Sequence, residues 1–248
     1  MNIQASLRYQ LHEFKWAIVT YYAVVVLLFA LTILLAFLSI DESAQINGFG
    51  TTSMIVLFVM GIVTCREPLR LAIQNGVSRR SYFFAHLLMT VVVCAILSVC
   101  DRGLQALAEL IVRDLPQAHF TNLVTLIYPE FFADLGGFAT VLWPILASFC
   151  AYLGSFAAGY LISLAYYRMG TLLKIIVSVG VPFLLVAGIP LLDFGVLNGA
   201  IAAFVWRVFS TVMGLESGNL IVAVGSLLAL ALILNGCCYL LLRRAPIK

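Results

Sequence analysis

Four arginines in one short stretch are the residues of this chain best placed to do chemistry. They lie between Arg66 and Ser81, where the only acid is Glu67, and they are Arg66, Arg70, Arg79 and Arg80. Guanidinium groups form strong hydrogen bonds with carboxylates and phosphates. The segment therefore predicts one of two roles, a docking surface for a partner protein or a basic loop that meets anionic lipid headgroups.

The sequence patterns of common catalytic and metal sites are absent. The chain has no GxxxxGK[ST] phosphate-binding loop and no HExxH motif. Its 6 cysteines show no CxxC spacing and lie in or beside apolar runs, so we interpret them as small packing residues. The three histidines, His12, His86 and His119, are too scattered for a metal site. We therefore expect a protein that is not an enzyme and holds no cofactor or metal itself.

The elements that position the arginine segment must lie in a membrane. Apolar residues make up 63% of the chain and charged residues 10%, and the mean hydropathy is +1.10. Soluble domains carry about 25% charged residues. Since a helical span needs about 20 residues, the 248 residues suit six spans with short loops. The net charge of +3 comes from one face of the membrane and does not indicate nucleic-acid binding.

The hydropathy pattern predicts an all-α integral membrane protein with one domain, residues 1–248, and six transmembrane helices. Residues 1–15 place apolar side chains at helical spacing, which predicts an N-terminal interfacial helix on the inner membrane surface. Residues 103–136 form the largest outer segment. The predicted spans cover approximately residues 16–40, 51–65, 82–100, 138–167, 175–193 and 219–242.

The distribution of lysine and arginine orients these spans. Cytoplasmic loops of membrane proteins are enriched in both residues. In the six-span arrangement, all but three of the 14 basic residues fall on one side, which predicts that both termini are cytoplasmic. Nine of the 11 acids fall on the other side. The three basic residues predicted outside are Arg102, Arg113 and Arg207.

The arginine segment itself contains a short predicted cytoplasmic helix. It runs from Glu67 to Gln74 and is ended by the Asn75-Gly76 pair, a common C-terminal cap. Ser78 is placed to cap the helix that follows. One side of the short helix is apolar, which favours docking over a purely lipid-facing role. That side carries Leu69, Ala72 and Ile73.

The apolar segment 194–214 fits neither a loop nor a full span. It is too apolar for an aqueous loop, and one more span would place the basic C-terminus outside. We expect a re-entrant helical hairpin between spans five and six, broken near Asn198 and Gly199. Arg207 is then expected to point to the outer headgroups or to an acidic partner.

No ionisable residue is predicted midway along any span. Counting about 1.5 Å per residue from Ser81 puts Asp101 near 30 Å away, at the outer interface. Proton- and sodium-driven carriers usually bury ionisable residues near the membrane midplane. The energy for any transport is therefore expected to come from outside the chain.

Small residues recur every four positions on the predicted fourth span. Ala147, Ala151 and Ser155 share this spacing, and Gly154 and Ala158 repeat it. Such faces allow helices to approach closely. Two interpretations are open, packing within the chain and contact between two copies.

These features together resemble the membrane subunit of a type-2 ABC exporter. The likeness covers almost the whole chain, with the interfacial helix (1–15), six spans, a coupling-helix region (66–78) and the re-entrant hairpin (194–214). The sequence QNGVSRRSYFFAHLL, Gln74 to Leu88, is similar to the G-x-S-R stretch after the coupling helix in small bacterial permeases of this class.

The resemblance implies a bacterial half-transporter in the cell membrane that works by alternating access. It implies a homodimer or heterodimer of permease chains with two separate ATPase subunits, which would hold ATP and magnesium. The class exports drugs, lipids, polysaccharides or peptides, so an amphipathic or hydrophobic substrate is expected. The ATPase-coupling residues would be Glu67, Leu69, Arg70, Ile73, Arg79 and Arg80.

The resemblance also implies an apolar, aromatic substrate cavity between subunits. Phe58, Phe183 and Phe204 are the candidates for it, and ordinary packing or lipid contact is the simpler interpretation of each. A second interpretation of the whole chain is a stand-alone membrane protein for antimicrobial immunity or assembly, without a motor. Co-purification with an ATPase would separate the two.

Overall fold

The computed structural model describes most of the chain. The described residues are 3–38, 44–47, 49–64, 66–112, 118–133, 135–195 and 198–243. Arg113, which the orientation prediction uses, lies outside these ranges.

Helices dominate the described residues, and the two strands are short. In chain order the elements are α1 (Ile3–Leu38), β1 (Ala44–Asn47), α2 (Phe49–Val63), α3 (Arg66–Gln74), α4 (Arg79–Val112), β2 (Ala118–Thr121), α5 (Leu123–Ile127), α6 (Pro129–Ala133), α7 (Ala139–Arg168), α8 (Thr171–Phe183), a π-helical turn (Leu184–Gly188), α9 (Ile189–Gly195), α10 (Ala200–Val212) and α11 (Leu220–Arg243).

Five helices among the described residues are long and apolar enough to cross a membrane. The predicted second span corresponds to α2, which has 15 residues. At about 1.5 Å per residue α2 is near 22 Å long, shorter than the hydrocarbon core of a bilayer. The described residues are thus mainly helical with five candidate spans, which is compatible with the predicted all-α membrane class, and the sixth span stays a prediction. The five are Leu7–Leu31, Arg79–Ile111, Ala139–Arg168, Thr171–Asp193 and Leu220–Arg243.

The N-terminal segment is not a separate interfacial helix. α1 continues unbroken from Ile3 to Leu38, a stretch without glycine or proline. Phe14 is buried, and Leu7 and Leu11 pack on the same apolar cluster as Met89 of α4. Over its described part, the segment predicted as an interfacial helix is thus continuous with the first candidate span, and its position at a membrane surface stays a prediction.

α4 is longer than the predicted third span. It has 34 residues, about 51 Å at 1.5 Å per residue, against about 30 Å for the hydrocarbon core. The residues from 103 to 112, predicted to begin the outer segment, continue this helix. Beyond it β2 pairs in parallel with β1. Because α4 is longer than a single span, counting residues from Ser81 does not locate the membrane boundary.

α7 is the centre of the bundle. α2 and α11 run parallel to it and α4 runs antiparallel, which agrees with the alternation expected of successive spans. For α2, Met54 lies beside Ser155 and Phe58 beside Gly159. For α11, Leu220 shares an apolar cluster with Ala147, and Cys238 bonds to Ala157. For α4 the order reverses, since Asp101 bonds to Tyr152 and His86 stacks on Tyr160.

α2 and α7 touch backbone to backbone. A Cβ atom on Gly159 would lie 2.1 Å from the carbonyl oxygen of Phe58, and one on Gly61 would lie 2.4 Å from that of Phe156. Only glycine allows so close an approach. The Ser155 hydroxyl adds a hydrogen bond of 2.7 Å to a carbonyl of α2. This part of the small-residue face of α7 therefore packs within the chain.

A helical hairpin joins the fifth candidate span to α11. α9 ends at Gly195 and α10 begins at Ala200, and the left-handed residues Asn198 (φ 50°) and Gly199 (φ 83°) make the turn between them. The predicted break is confirmed. The first arm is not a new helix from residue 194 but the end of the helix that starts at Thr171. Its re-entry into a membrane stays a prediction.

Asp193 closes this hairpin. Its side chain is 2% exposed, and its carboxylate oxygens accept hydrogen bonds from the backbone N–H groups of Ile201 and Ala202 at 2.7 and 2.8 Å. A carboxylate at this position caps the free N–H groups of a helix start and meets the positive end of its dipole. Asp193, the predicted end of the fifth span and the last residue of the candidate span Thr171–Asp193, thus also caps α10.

The helix from Thr171 to Gly195 contains an irregular turn. The residues Leu184–Gly188 are π-helical, and Pro182 and Pro190 flank them. Proline removes a backbone donor, and a π turn accommodates an extra residue. None of the residues in the most apolar window of this helix is buried within the chain.

Candidate functional site

α3 confirms the short helix predicted in the arginine segment. It ends at Gln74, and Gly76 adopts a left-handed φ of 73°. The N–H of Val77 bonds to the carbonyl of Ala72 at 2.9 Å, and that of Gly76 bonds one turn back at 3.0 Å. This bonding pattern is a Schellman cap. The Ser78 hydroxyl then accepts from a backbone N–H of α4 at 3.2 Å, as its predicted capping role requires.

The apolar face of α3 is buried within this chain. Leu69 is 1% exposed, Ala72 is buried beside it, and Ile73 packs at the edge. Leu69 and Ile73 therefore anchor the helix to its own bundle, and their part in ATPase coupling stays a prediction. Arg70 and Leu71 lie on the exposed side. The cluster around Leu69 comprises Val77, Tyr82, Phe83, Tyr160, Leu164, Cys238 and Leu242.

The arginines after α3 have different surroundings. Arg79 is half-buried, and its Nη1 donates to the backbone carbonyl of Arg243 at 3.0 Å, at the end of α11. A cation there satisfies a carbonyl that the helix leaves unpaired. Arg80 is exposed, and the backbone of Glu67 belongs to α3. Arg70 and Arg80 are thus the accessible predicted coupling arginines, while Arg79 joins two helices.

A second candidate site surrounds Asp101, which was predicted at the outer interface. The side chain is 7% exposed. Its Oδ1 accepts a hydrogen bond from the Tyr22 hydroxyl at 2.9 Å, and its Oδ2 accepts one from Tyr152 at 2.5 Å. Nearby, the hydroxyls of Tyr21 and Ser53 share a hydrogen bond of 2.6 Å. The network joins α1, α4 and α7, with α2 beside it.

The position of Asp101 along the bundle corrects the sequence prediction. Tyr152 lies near the middle of α7, and Tyr22 lies inside the candidate span of α1. The carboxylate is therefore held inside the helix bundle, within the candidate span Arg79–Ile111. The candidate span Arg79–Ile111 thus includes a buried ionisable residue, while the predicted absence of one midway along a span stays a prediction.

A cavity of about 150 Å³ lies against this network. α2, α4, α5, α7 and the first turns of α11 surround it. Its polar lining includes Asp101, Gln105 and Asn122, and the Asn122 amide donates to the Gln105 carbonyl oxygen at 2.9 Å. The apolar lining is Met54, Leu123, Val124, Ile127, Pro144, Ala147, Ala151, Met213, Leu220, Ala223 and Leu227.

Tyr128 also lines the cavity, at the turn between α5 and α6. Its hydroxyl donates to the carbonyl of Met213 at 2.5 Å, which ties the turn between α5 and α6 to the end of α10. Burial raises the pKa of this phenol above its ordinary value. The hydroxyl therefore stays a neutral donor at physiological pH.

His86 is buried in an aromatic cluster of α4 and α7. Its imidazole stacks on Tyr160 with the ring centroids 4.0 Å apart and lies 5.6 Å from Phe156. Within the described ranges no three His, Cys, Asp or Glu side chains gather to hold a metal. The arrangement is that of a packed aromatic cluster.

The three predicted cavity phenylalanines do not meet at one site. Phe58 is partly buried in α2 at its crossing with α7, whereas Phe183 and Phe204 are 66% and 67% exposed on α8 and α10. None of them lines the cavity beside Asp101. Aromatic residues are too frequent in these spans for type alone to identify a site.

The sequence held one signal for the site that the prediction missed. The helical pattern of apolar residues runs past Asp101 to Ala108, which is fully buried, so the helix does not end at the acid. Tyr22 and Tyr152 are tyrosines inside spans, and a buried tyrosine usually needs a partner for its hydroxyl. Their pairing with Asp101 depends on the packing of helices distant in sequence.

Comparisons with known proteins give no relative. No protein-family model, no curated protein and no solved structure matches the chain.

Proposed function

We propose that this chain is the membrane permease subunit of an ATP-driven exporter of the type-2 ABC class. The supporting observation is α3, a capped polar helix between α2 and α4 whose apolar face is anchored to α4, α7 and α11. A loop that only meets headgroups needs no such anchor. Force applied to the exposed side of α3, at Arg70 and Leu71, passes through Leu69 to three long helices.

The proposed mechanism is alternating access driven by a separate chain. The partner ATPase binds ATP and magnesium, and its closure pushes on α3 and re-aims the helices around a central path. A second permease chain completes that path, and the substrate is amphipathic or hydrophobic. The chain lies in a bacterial cell membrane as six spans, with α2 as the second, and both termini face the cytoplasm.

The test reverses charge on the exposed side of α3. Arg70→Glu combined with Arg80→Glu removes two accessible cations and leaves the Arg79–Arg243 bond in place. Because rim charges govern association more than folding, we expect normal membrane insertion and about tenfold weaker ATPase capture. The measurements are pull-down with the tagged chain and ATP hydrolysis in membranes.

The matched control is Arg168→Glu with Lys174→Glu at the turn between α7 and α8. It reverses the same number of charges on the same predicted side, so it should retain ATPase capture. If the α3 variant captures the ATPase as well as this control does, α3 is only an anchor and the proposal fails. If the wild-type chain captures no ATPase, the stand-alone interpretation replaces it.

The Asp101 network favours one second candidate, a proton- or ion-coupled carrier. Carriers of this kind hold ionisable residues within their spans, and the buried carboxylate removes the ground on which the sequence argued against them. A carrier needs no motor. Capture of an ATPase by the wild-type chain therefore separates the two candidates.

A further inference from the structure

The Asp101 carboxylate has hydroxyl donors but no cationic partner in the part of the chain that the structure describes. The ion pair found there joins Arg102 to Glu109 at 3.2 Å. Tyr22 and Tyr152 occupy one acceptor position on each carboxylate oxygen, the Ser53 hydroxyl is a further hydrogen-bond partner, and a carboxylate offers about four acceptor positions. Burying a negative charge is costly unless a counter-charge or sufficient hydrogen bonds compensate it. The site therefore favours a positively charged group beside Asp101.

The cavity sets the size and character of that group. A cavity of about 150 Å³ is large enough for a benzene-sized body. Most of its lining is apolar, and Asp101 stands at the polar end with Gln105 and Asn122. The two amides bond to each other, and Asn122 also accepts from the N–H of Val124 at 2.8 Å. These bonds hold the polar end in one arrangement.

We infer that this cavity binds a small organic amine cation. Its charged nitrogen meets the Asp101 carboxylate, and its apolar body fills the space between α4, α7 and α11. Arg102 also lines the cavity, but the carboxylate of Glu109 pairs with it on the other side. The inference goes beyond the permease proposal, since binding requires neither a motor nor transport.

The test uses benzylamine as the probe and the purified full-length chain in detergent. Benzyl alcohol has the same shape without charge, and benzoate has the opposite charge. Isothermal titration should show saturable binding of benzylamine. The affinity for benzyl alcohol and for benzoate should be lower by about tenfold or more. The inference is overturned if benzylamine shows no saturable binding or if either analogue binds as tightly.

One variant locates the binding and a second serves as its control. Asp101→Asn keeps the shape and removes the charge, so benzylamine binding should fall by about tenfold or more. Asp193→Asn changes a second buried carboxylate, at the hairpin, and should bind like wild type. Equal loss in both, or no loss in Asp101→Asn, contradicts the assignment.

A third variant covers the case in which Asp101→Asn does not fold. Ala151→Leu fills the cavity from α7 without touching the carboxylate. It should abolish benzylamine binding while the thermal unfolding midpoint stays near that of wild type. Retained binding in a folded Ala151→Leu chain places the probe elsewhere and refutes the site.

Discussion

The bundle around α7 and the helix from Thr171 to Asp193 are built from similarly apolar sequence, yet only the bundle is packed. The most apolar windows of α4 and of Thr171–Asp193 have the same hydropathy, 2.5, but half of the first and none of the second is buried within the chain. α7 packs through glycine contacts and polar bonds such as Ser155 to α2. The fifth candidate span bonds back to α7 through Tyr166 and Ser178 at 3.0 Å. High hydropathy thus makes both helices candidate spans, while small residues and polar groups determine which helices pack against each other.

The largest test of this contrast removes a leucine from each region. Leu97 in α4 is 0% exposed and Leu191 in α9 is 72% exposed. Leu97→Ala should lower the free energy of unfolding by about 2–5 kcal/mol because it leaves a cavity. Leu191→Ala should change it by less than about 0.5 kcal/mol. Denaturant unfolding of both variants in one detergent gives the comparison.

An equal loss in both variants would contradict the contrast. It would mean that the face of α9 is covered in the purified protein, by a second copy of the chain. Stability that rises with protein concentration would then identify that contact.

A smaller effect is expected where α2 crosses α7. Gly159→Ala places a Cβ atom 2.1 Å from a backbone oxygen, so the helices must separate. The expected loss is about 1–3 kcal/mol in the free energy of unfolding. Gly154→Ala on the same helix is the control, because its Cβ meets nothing within 4 Å. Thermal unfolding of the pair measures the difference.

If Gly154→Ala destabilises the chain as much as Gly159→Ala does, the close crossing is not the cause. Any methyl group added to α7 would then destabilise the chain, whether or not it meets the backbone of α2.

The smallest loss of stability is expected at the hairpin between α9 and α10, in the less packed of the two regions. Asp193→Ala removes the acceptor for two N–H groups of α10, and loss of such a cap costs about 1 kcal/mol. We expect faster hydrogen exchange at Ile201 and Ala202 with little change at Leu97. Uniformly faster exchange across the chain would show instead that the hairpin supports the whole bundle.

Local signals allowed the sequence to predict helices and caps. The Asn75-Gly76 and Asn198-Gly199 pairs marked real helix ends, because left-handed backbone and capping depend on nearby residues. Spacing also predicted the apolar face of α3. It did not show that Leu69 faces its own bundle, since both a partner and the bundle would bury the same side chain.

Features that depend on distant packing were not predicted. Residues 1–15 were placed from the spacing of their apolar side chains, and Asp101 was placed by counting an ordinary span length from Ser81. α1 and α4 continue beyond that length because neighbouring helices cover Phe14 and Asp101. The polar network needs Tyr22 and Tyr152 from helices far apart in the chain, and spacing along one segment carries no information about such a meeting.

The π-helical turn has a mechanical consequence for the helix that contains it. A helix bends most easily where its backbone hydrogen bonds are irregular. In this helix that part runs from Pro182 to Pro190. The two ends are therefore expected to tilt independently, with the turn acting as a flexure. Displacement applied near Thr171 would reach Asp193 attenuated. The capped hairpin could then keep its angle to the membrane plane while the rest of the helix rocks beneath it.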